Sequence, residues 1–385
     1  MRIGVTYDLK SDYLALGMSE EDAAEFDSEV TIEAICDALA ALGHEPVRIG
    51  NVKRLAEKLV KGERWDAVFN FCEGLKGVAR EAQAPALLEA YDIPYVFSDP
   101  LTLALSLDKA MCKRVVRDAG VPTPDFAVIG SLADAGRVNL PYPLFVKPVA
   151  EGSGKGVDRH SKVADVAGLK RVVADLIARF RQPVLAETFL PGREFTVGIT
   201  GTGTDAEVLG VTEIVPKPAY VGSGYGLENK AEGWQEKVDV RSAPPREAAA
   251  AGVVALAAWR ALNCRDGGRI DIRCDAAGTP NFLEVNPLAG LRPGHSDLCF
   301  IAEYAGLTYV QLIGRIMASF LKRHPGLARS GQSLSPPIDG KSARRSSEGA
   351  KVDEGNSHAS SPHRLDASRL AASPASGGGK KTVRG

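Results

Sequence analysis

The first hundred residues alternate short apolar runs with amphipathic stretches, and this alternation constrains the fold more than any other feature. Strand-like runs occur at 3–7, 46–49, 67–71 and 94–97, and helical patterns occur at 29–42, 52–61 and 85–91. Strands separated by helices pair in parallel, with helices covering both faces of the sheet. The pattern therefore predicts a doubly wound parallel-sheet domain.

The next two hundred residues predict two further domains. After a helix at 108–119, strand-like runs at 126–129, 144–148 and 184–187 surround a helical pattern at 165–179. Strand-like runs then follow at 194–200, 207–214, 269–274 and 281–285, with helices at 245–262 and 309–322, which predicts one larger, mostly antiparallel sheet. The expected domains are 1–107, 108–195 and 196–328.

The remaining residues, 329–385, form a different kind of segment. From residue 330 onward the sequence is rich in Ser, Gly, Ala and Pro, and holds nine Lys or Arg against five Asp or Glu. So few aliphatic side chains cannot offset the entropy of ordering the chain, which predicts a disordered tail. A weak docking role for this tail is the alternative.

Composition excludes several classes of protein. A net charge of −1 argues against a general nucleic-acid binder. The six cysteines show no CxxC spacing, which favours reduced thiols over a disulfide framework or a metal finger. No apolar stretch approaches the ~20 residues of a membrane span, and no leader pattern begins the chain. We expect a soluble, cytoplasmic protein without membrane or nucleic-acid partners.

The segment 268–286 carries the most informative polar residues. Two strand-like runs flank a short Gly-containing turn, which predicts a hairpin. Side chains alternate along a strand, so Arg269 and Asp271 share one face, and Glu284 and Asn286 likewise share a face. A suitable register would bring all four polar groups onto one patch. By the same alternation, Leu283 and Val285 point to the opposite face.

Two carboxylates and an amide oxygen suit Mg²⁺, a hard cation that shares its sphere with substrate phosphates. Glu284 would bridge two ions, and Asp271 and Asn286 would each complete one sphere. Arg269 would stabilise the charge on a transferred phosphoryl group. Taken alone, these four residues could equally be an ordinary polar sheet face.

Two upstream segments favour nucleotide binding. Lys147 ends a strand-like run and is followed by a glycine-rich loop at 151–157, whose amides could approach phosphate oxygens; it is not a Walker motif. Downstream, backbone groups between Glu187 and Leu190 could bind an adenine edge, and Glu194 could accept from ribose hydroxyls.

The order of these motifs from Asp108-Lys109 to Asn286 resembles the ATP-grasp superfamily, and within it the D-alanine–D-alanine ligases, over residues 1 to about 325. The resemblance implies a mixed α/β and α+β fold in which a central lid domain covers ATP. It also implies a cytoplasmic ligase of peptidoglycan biosynthesis that forms a dipeptide through an acyl-phosphate, commonly as a homodimer.

The resemblance also implies roles for particular residues. ATP would be bound by Lys109, Lys147, Glu151, Ser153, Gly154, Gly156, Glu187, Phe189, Leu190, Glu194 and Lys230. Two Mg²⁺ or Mn²⁺ ions would be held by Asp271, Glu284 and Asn286. The catalytic candidates are Arg269, Glu29 and Ser153.

The amino-acid substrates would be held by a further set of residues. Glu29 resembles the glutamate that binds the first ammonium group, although an acid at a helix N-terminus needs no such role. Likewise, Lys230 could be a solvated loop lysine. The second carboxylate would be gripped near Gly290, Arg292, His295 and Ser296. Glu73 and Arg80 would shape the first pocket, which the acidic insertion 9–27 would border.

The chain departs from the family pattern around the substrates. The usual His-Gly pair is replaced at 70–74, the usual tyrosine after the loop lysine is Ala231, and 287–291 read Pro-Leu-Ala-Gly-Leu. These departures leave the ATP residues intact but indicate a rebuilt amino-acid pocket. Which small amino acids are joined, and whether both are D-alanine, stays open.

Three other functions compete with this interpretation. The first is an ATP-grasp ligase for another amino acid or peptide in secondary metabolism. A non-catalytic nucleotide-binding protein is disfavoured because the four hairpin residues are all present. A dinucleotide-dependent dehydrogenase is disfavoured because no Gly-x-Gly-x-x-Gly follows the first strand.

Overall fold

The N-terminal part folds around a parallel sheet. The computed structural model describes residues 1–152, 154–218 and 236–330, with side chains up to residue 327. The strands β1 (Arg2–Tyr7), β2 (Glu45–Gly50), β3 (Ala67–Phe71) and β4 (Tyr95–Val96) lie in the order β2-β1-β3-β4 and pair in parallel. The doubly wound domain predicted from the sequence is confirmed.

Helices cover both faces of this sheet. They are α1 (Lys10–Ala15), α2 (Glu29–Ala41), α3 (Val52–Val60), α4 (Gln83–Ala90) and α5 (Pro100–Leu107). Ile32 and Leu39 of α2 pack with Ile3 on one face, while Leu55 and Leu59 of α3 belong to the core on the other. Short 3₁₀ turns at Asp22–Glu25 and Arg80–Ala82 lie in the connections that later border the site.

A helix and a small antiparallel sheet form the central part. The elements are α6 (Lys109–Asp118), β5 (Phe126–Ile129), α7 (Leu132–Ala135), β6 (Leu144–Pro148), β7 (Lys162–Val163), α8 (Val166–Phe180) and β8 (Val184–Thr188). The strand order is β5-β8-β6-β7. Leu169 and Val173 of α8 pack on Leu144 and Val146 of β6. The sequence did not predict β7 or α7, because each is too short to show a period.

The third part is a five-stranded sheet with pairs that are all antiparallel. Its elements are β9 (Glu194–Thr200), β10 (Glu207–Pro216), β11 (Val238–Ser242), α9 (Pro245–Ala261), β12 (Gly267–Cys274), β13 (Pro280–Asn286), α10 (Asp297–Tyr304), α11 (Tyr309–Arg323) and α12 (Pro325–Ser330). The order β11-β10-β9-β12-β13 places the predicted hairpin at one edge. Trp259 of α9 is fully buried against the sheet.

Helix α11 ties the C-terminal part to the N-terminal sheet. Its residues Leu312, Ile316 and Phe320 belong to the same buried cluster as Ile3 and Ile32. The three sheets fall within the three predicted ranges, apart from the start of β9. The exact domain boundaries stay a prediction, since this shared core crosses them.

One prediction about the hairpin is wrong in detail. The β12–β13 register shifts between Asp271 and Ile272, which pairs with Phe282 rather than with Leu283. This bulge places Phe282 and Val285 in the core and leaves Leu283 half-buried. Simple alternation from the sequence could not reveal the extra residue.

Residues 331–385 of the predicted tail and the loop with Lys230 lie outside the described residues, as does Ser153. The predicted start of the tail at residue 329 is wrong, because residues 329 and 330 belong to α12. Among the helices that the structure describes, none is long and apolar enough to cross a membrane.

Candidate active site

A cavity of about 1060 Å³ is lined by residues from all three parts of the fold. The N-terminal connections contribute acidic residues such as Glu25, the glycine-rich loop contributes Glu151 and Gly152, and β13 contributes Glu284 and Asn286. A smaller pocket of about 90 Å³ adjoins it between the central sheet and the β12–β13 hairpin.

The hairpin brings its four predicted residues together. Arg269 is opposite Asn286 and Asp271 is opposite Glu284, and residues directly opposite on antiparallel strands have Cβ atoms about 4.5–5.5 Å apart. Their side chains line the large cavity, the small pocket or both. The bulge lies after Asp271, so it does not disturb this patch.

Side-chain contacts fix the orientation of Arg269 and Asp271. The guanidinium of Arg269 lies 3.6 Å from Asp271 and 3.4 Å from Asp297 at the start of α10. Asp271 also accepts a hydrogen bond of 3.1 Å from the Thr196 hydroxyl. Arg269 is therefore held by two carboxylates at the cavity wall, with its side chain only 12% exposed.

Lys109 lies where the two spaces meet. Its ammonium group is 3.6 Å from Glu284 and donates to the backbone carbonyl of Glu151. Lys109, Glu151 and Glu284 each line both spaces. A phosphate chain that ran from the small pocket toward the large cavity would pass this lysine.

The small pocket contains a buried ion-pair triad. The Glu187 carboxylate forms ion pairs with Lys147 and Lys113, each at 3.0 Å, and all three side chains are nearly inaccessible. Burial alone would lower the pKa of Lys147, but the carboxylates of Glu187 and Glu284 outweigh it and raise the pKa. Burial, together with the charge of Lys147, lowers the pKa of Lys113. Lys147 is therefore held as a cation at the floor of the pocket.

Phe189, Leu190 and Glu194 line the same pocket, and their binding of a nucleotide base and ribose stays a prediction. The carboxylate of Glu194 is 2.8 Å from Arg273, which follows Asp271 on the same face of β12. The carboxylate of Glu187 is committed to its two lysines, so only its backbone is available to an adenine edge.

The glycine-rich loop closes one side of both spaces. Gly154 lines the small pocket and Gly156 the large cavity. Gly156 has φ +72°, and a Cβ atom there would lie 2.6 Å from Pro148 and 2.8 Å from Phe180, so only glycine fits. The Glu151 carboxylate is tied to Gln182 at 2.6 Å and to Lys155 at 3.1 Å.

Most of the predicted substrate residues line the large cavity. Glu73, Gly290, Arg292, His295 and Ser296 all do so. The Ser296 hydroxyl accepts a 3.0 Å hydrogen bond from the Arg292 amide, which holds this turn in place.

The position predicted for Glu29 is not supported by the structure. Glu29 is not among the residues lining the cavity; its exposed side chain pairs with Arg48 on β2. As the first residue of α2 it follows Asp27 and Ser28, which do line the cavity. Glu29 therefore points away from the cavity that Asp27 and Ser28 line. Residue spacing alone could not show this orientation.

The donor set on the hairpin fits Mg²⁺ only with help from a ligand. Among the described residues there is no group of three or more His, Cys, Asp or Glu side chains suited to a metal ion. Asp271, Glu284 and Asn286 offer two carboxylates and one amide, all oxygen donors. Mg²⁺ is commonly bound through one or two carboxylates plus substrate phosphates, so this set is adequate beside a nucleotide.

Sequence reasoning missed several residues of the site. Lys113 is one helical turn after Lys109, and Arg273 is two residues after Asp271 on a strand, so both had a spacing signal. Asp297 had none, because its contact with Arg269 depends on how α10 packs. The same holds for Asp27 and Glu81 in the cavity wall.

Comparison with known proteins decides the family. The family model for the D-Ala D-Ala ligase C-terminus matches residues 115–318. A D-alanine–D-alanine ligase of Bordetella petrii is 37% identical over 270 residues, which is 69% of this chain and 78% of that protein. The chain belongs to the D-alanine–D-alanine ligase family.

Two further relatives show the breadth of this family. An uncharacterized protein of Sinorhizobium fredii, y4sG, is 31% identical over 310 residues, covering 76% of this chain and 88% of its own. The crystal structure of a Bacillus anthracis D-alanine–D-alanine ligase complexed with ATP matches with a TM-score of 0.62 at 23% identity, over 85% of this chain and 99% of that one. That likeness confirms the ATP-grasp fold predicted from the sequence.

Proposed function

We propose that this D-alanine–D-alanine ligase family member uses ATP to join two amino acids into a dipeptide. The observation that carries the proposal is the junction at Lys109 and Glu284, where the small pocket opens into the large cavity. A nucleotide in the small pocket would present its terminal phosphate there, directly beside the space for the amino acids.

The reaction would proceed in two steps. A carboxylate oxygen of the first amino acid attacks the γ-phosphorus of ATP, and the bond from phosphorus to the ADP oxygen breaks to give an acyl-phosphate. The uncharged amine of the second amino acid then attacks the acyl carbon, phosphate leaves, and the nitrogen loses a proton to give the amide. Both steps depend chiefly on positioning and charge neutralisation.

Each residue set has a distinct role in this proposal. Lys109 and Lys147 bind phosphate oxygens, and Arg269 stabilises the charge that develops on the transferred group. Asp271, Glu284 and Asn286 would hold Mg²⁺ or Mn²⁺, which when bound neutralises phosphate charge. Arg292, His295 and Ser296 orient the carboxylate of the second amino acid. Ser153 and Lys230 keep the roles that the resemblance implies.

The test measures ADP release from ATP with D- and L-amino acids, supplied singly and in pairs. Glu284→Gln and Arg269→Ala should lower turnover by at least about a hundredfold, because each removes charge stabilisation made in the transition state. Glu207→Gln is the matched control, since Glu207 is exposed and pairs only with Arg315 in the part of the chain that the structure describes. Unchanged turnover in either site variant, with amino-acid-dependent ADP release, would contradict the assigned roles.

The family relationship supports three finer expectations. We expect a cytoplasmic enzyme of peptidoglycan-type chemistry, two divalent ions per site and a homodimer. Light scattering of the purified chain tests the last of these directly.

A further inference from the structure

One wall of the large cavity is formed by carboxylates of the N-terminal domain. Asp27 precedes α2, and Glu73 and Glu81 lie between β3 and α4; all three line the cavity. None of the three is one of the four hairpin residues, and none lines the small pocket. Of these three, Glu73 is a residue that the family resemblance assigns to the pocket of the first amino acid.

Glu81 is buried, and the charges of Arg80 and Lys109 oppose the rise in its pKa that burial causes, although neither cation forms an ion pair with it among the described residues. Its side chain is 9% exposed, and within the described residues its carboxylate has neither a hydrogen-bond nor an ion-pair partner. The Glu73 carboxylate likewise has no such partner among the described residues, and burial and the charges of Glu81 and Glu25 raise its pKa well above the ordinary range. A buried carboxylate without a partner costs several kcal/mol if it is ionised, at about the level of other buried ions.

The cations close to this wall each have a closer partner elsewhere. Lys109, whose charge acts on Glu81, lies 3.6 Å from Glu284 and donates to the Glu151 carbonyl. Arg80 donates to Glu25 at 2.9 Å and to the Ala150 carbonyl at 3.3 Å. Lys155 lies 3.1 Å from Glu151 and 3.4 Å from Glu25. Glu73 and Glu81 therefore have no directly paired cation among the described residues, and a cationic group of a ligand in the cavity would supply one.

Asp27 adds a third carboxylate to the same wall. Burial raises the pKa of Asp27 to about 8, although the Thr31 hydroxyl bonds to it and opposes the shift. A neutral amino acid brings one ammonium group, which would compensate only one of the three carboxylates. A substrate with a second cationic group on its side chain compensates more of this wall.

We propose that Glu73 and Glu81 are specificity-determining residues that bind a side-chain ammonium group of the first amino acid, so that the enzyme favours a diamino acid at this position. Asp27 is then available to the α-ammonium group, in the place that Glu29 does not reach. This inference rests on the proposed ligase function and names the class of its first substrate.

Isosteric substrate pairs test the inference on the full-length enzyme. ADP release is measured with ATP, Mg²⁺ and D-alanine as the second amino acid, while the first is varied in both enantiomers. The pairs are 2,3-diaminopropionate against 2-aminobutyrate, 2,4-diaminobutyrate against norvaline, and ornithine against norleucine. At least one diamino acid should exceed its neutral isostere by about tenfold or more in kcat/KM, the range of a desolvated charge pair, and mass spectrometry should show it at the N-terminal position of the product.

Two variants assign the preference to the acidic wall. Glu81→Gln and Glu73→Gln should each raise the KM for the preferred diamino acid by about tenfold or more, while the KM for the neutral isostere and for ATP changes little. Thermal melting checks that the variants fold; replacing a buried carboxyl that has no ion-pair partner with an amide should not lower the melting temperature.

The outcomes separate this inference from the proposed function. Equal kcat/KM values within every isosteric pair, with ADP release intact, would overturn the inference alone. A preference for diamino acids that both glutamine variants leave unchanged would overturn the assignment to Glu73 and Glu81. No ADP release with any pair would overturn the ligase proposal, and this inference with it.

Discussion

Replacing Glu25 with alanine perturbs the contact between the acidic insertion and the glycine-rich loop. The Glu25 carboxylate accepts from the Gly152 amide at 2.8 Å and from Arg80 at 2.9 Å, and lies 3.4 Å from Lys155. Its side chain is only 9% exposed, as is that of Lys155. The insertion thereby holds the loop that covers the predicted phosphate site.

The magnitude follows from these contacts. A hydrogen bond to a charged group contributes about 1.5–3 kcal/mol, and Glu25 makes two firm ones. Lys155 retains Glu151 at 3.1 Å, so its share of the loss is small. When the loop opens, water solvates Arg80 and the Gly152 amide. The substitution therefore costs the closed state of the loop a net free energy of about 2–3 kcal/mol. At tenfold per 1.4 kcal/mol, the KM for ATP should rise roughly 30- to 140-fold, with a smaller change in kcat at saturating ATP.

The assay is initial-rate ADP release at varied ATP with amino acids held saturating. Glu21→Ala is the control, because Glu21 also joins the insertion to the central domain, through Arg179 at 3.0 Å, but with both side chains more than 40% exposed. Such a surface pair contributes about 0.2–1 kcal/mol, so the control should change the KM less than about fivefold. A Glu25→Ala enzyme whose KM for ATP matches that of the control would refute the idea that Glu25 holds the loop.

Three further predictions concern stability, pH and the tail. Asp266 is fully buried and accepts hydrogen bonds from the Phe97 amide at 2.8 Å, Ser319 at 2.9 Å and Arg323 at 3.0 Å. Asp266→Ala should therefore lower the free energy of unfolding, measured by urea titration, by about 3–5 kcal/mol. An unchanged urea midpoint would contradict this. Burial raises the pKa of Asp27 to about 8 in the folded state; the Thr31 hydroxyl opposes this shift and the charge of Asp8 adds to it. The folded protein therefore retains a proton that the unfolded chain releases near pH 4. The contribution of Asp27 to stability should therefore fall as pH rises from about 4 to 8, and Asp27→Asn should flatten the decline in melting temperature across that range; a parallel decline in both proteins would count against it. Deleting residues 330–385 should leave kcat and both amino-acid KM values unaltered in the ADP assay, and a large fall in turnover would assign the tail to the active site.

The elements whose periods are long enough were predictable from the sequence. The strands β1, β3 and β9 and the helices α2, α9 and α11 lie within a residue or two of their predicted bounds. Hydrophobic period and glycine placement act over a few residues, so they need no knowledge of the fold. The short elements α7, β7 and α10 were not found, because so few residues show no period.

The active site was likewise predictable from the sequence only in part. The sequence placed four hairpin residues together: Arg269, Asp271, Glu284 and Asn286. The alternation of side chains along two strands and the short turn between them suffice to bring these residues to one patch. Their partners Lys109, Thr196 and Asp297 come from three distant elements. No local pattern encodes which of these elements packs beside the hairpin.

The sequence by itself determined the class of fold, the order of the motifs and the face on which the hairpin residues lie. Only the tertiary structure decided that a bulge turns Leu283 toward the small pocket, that Glu29 lies outside the cavity, and that α11 completes the core of the first domain. Each of these depends on contacts between residues far apart in the chain, whose pairing is set by packing and burial rather than by local propensity. The carboxyls of Glu73 and Glu81 became visible for the same reason, because burial and the lack of a direct ion-pair partner among the described residues are properties of the folded chain.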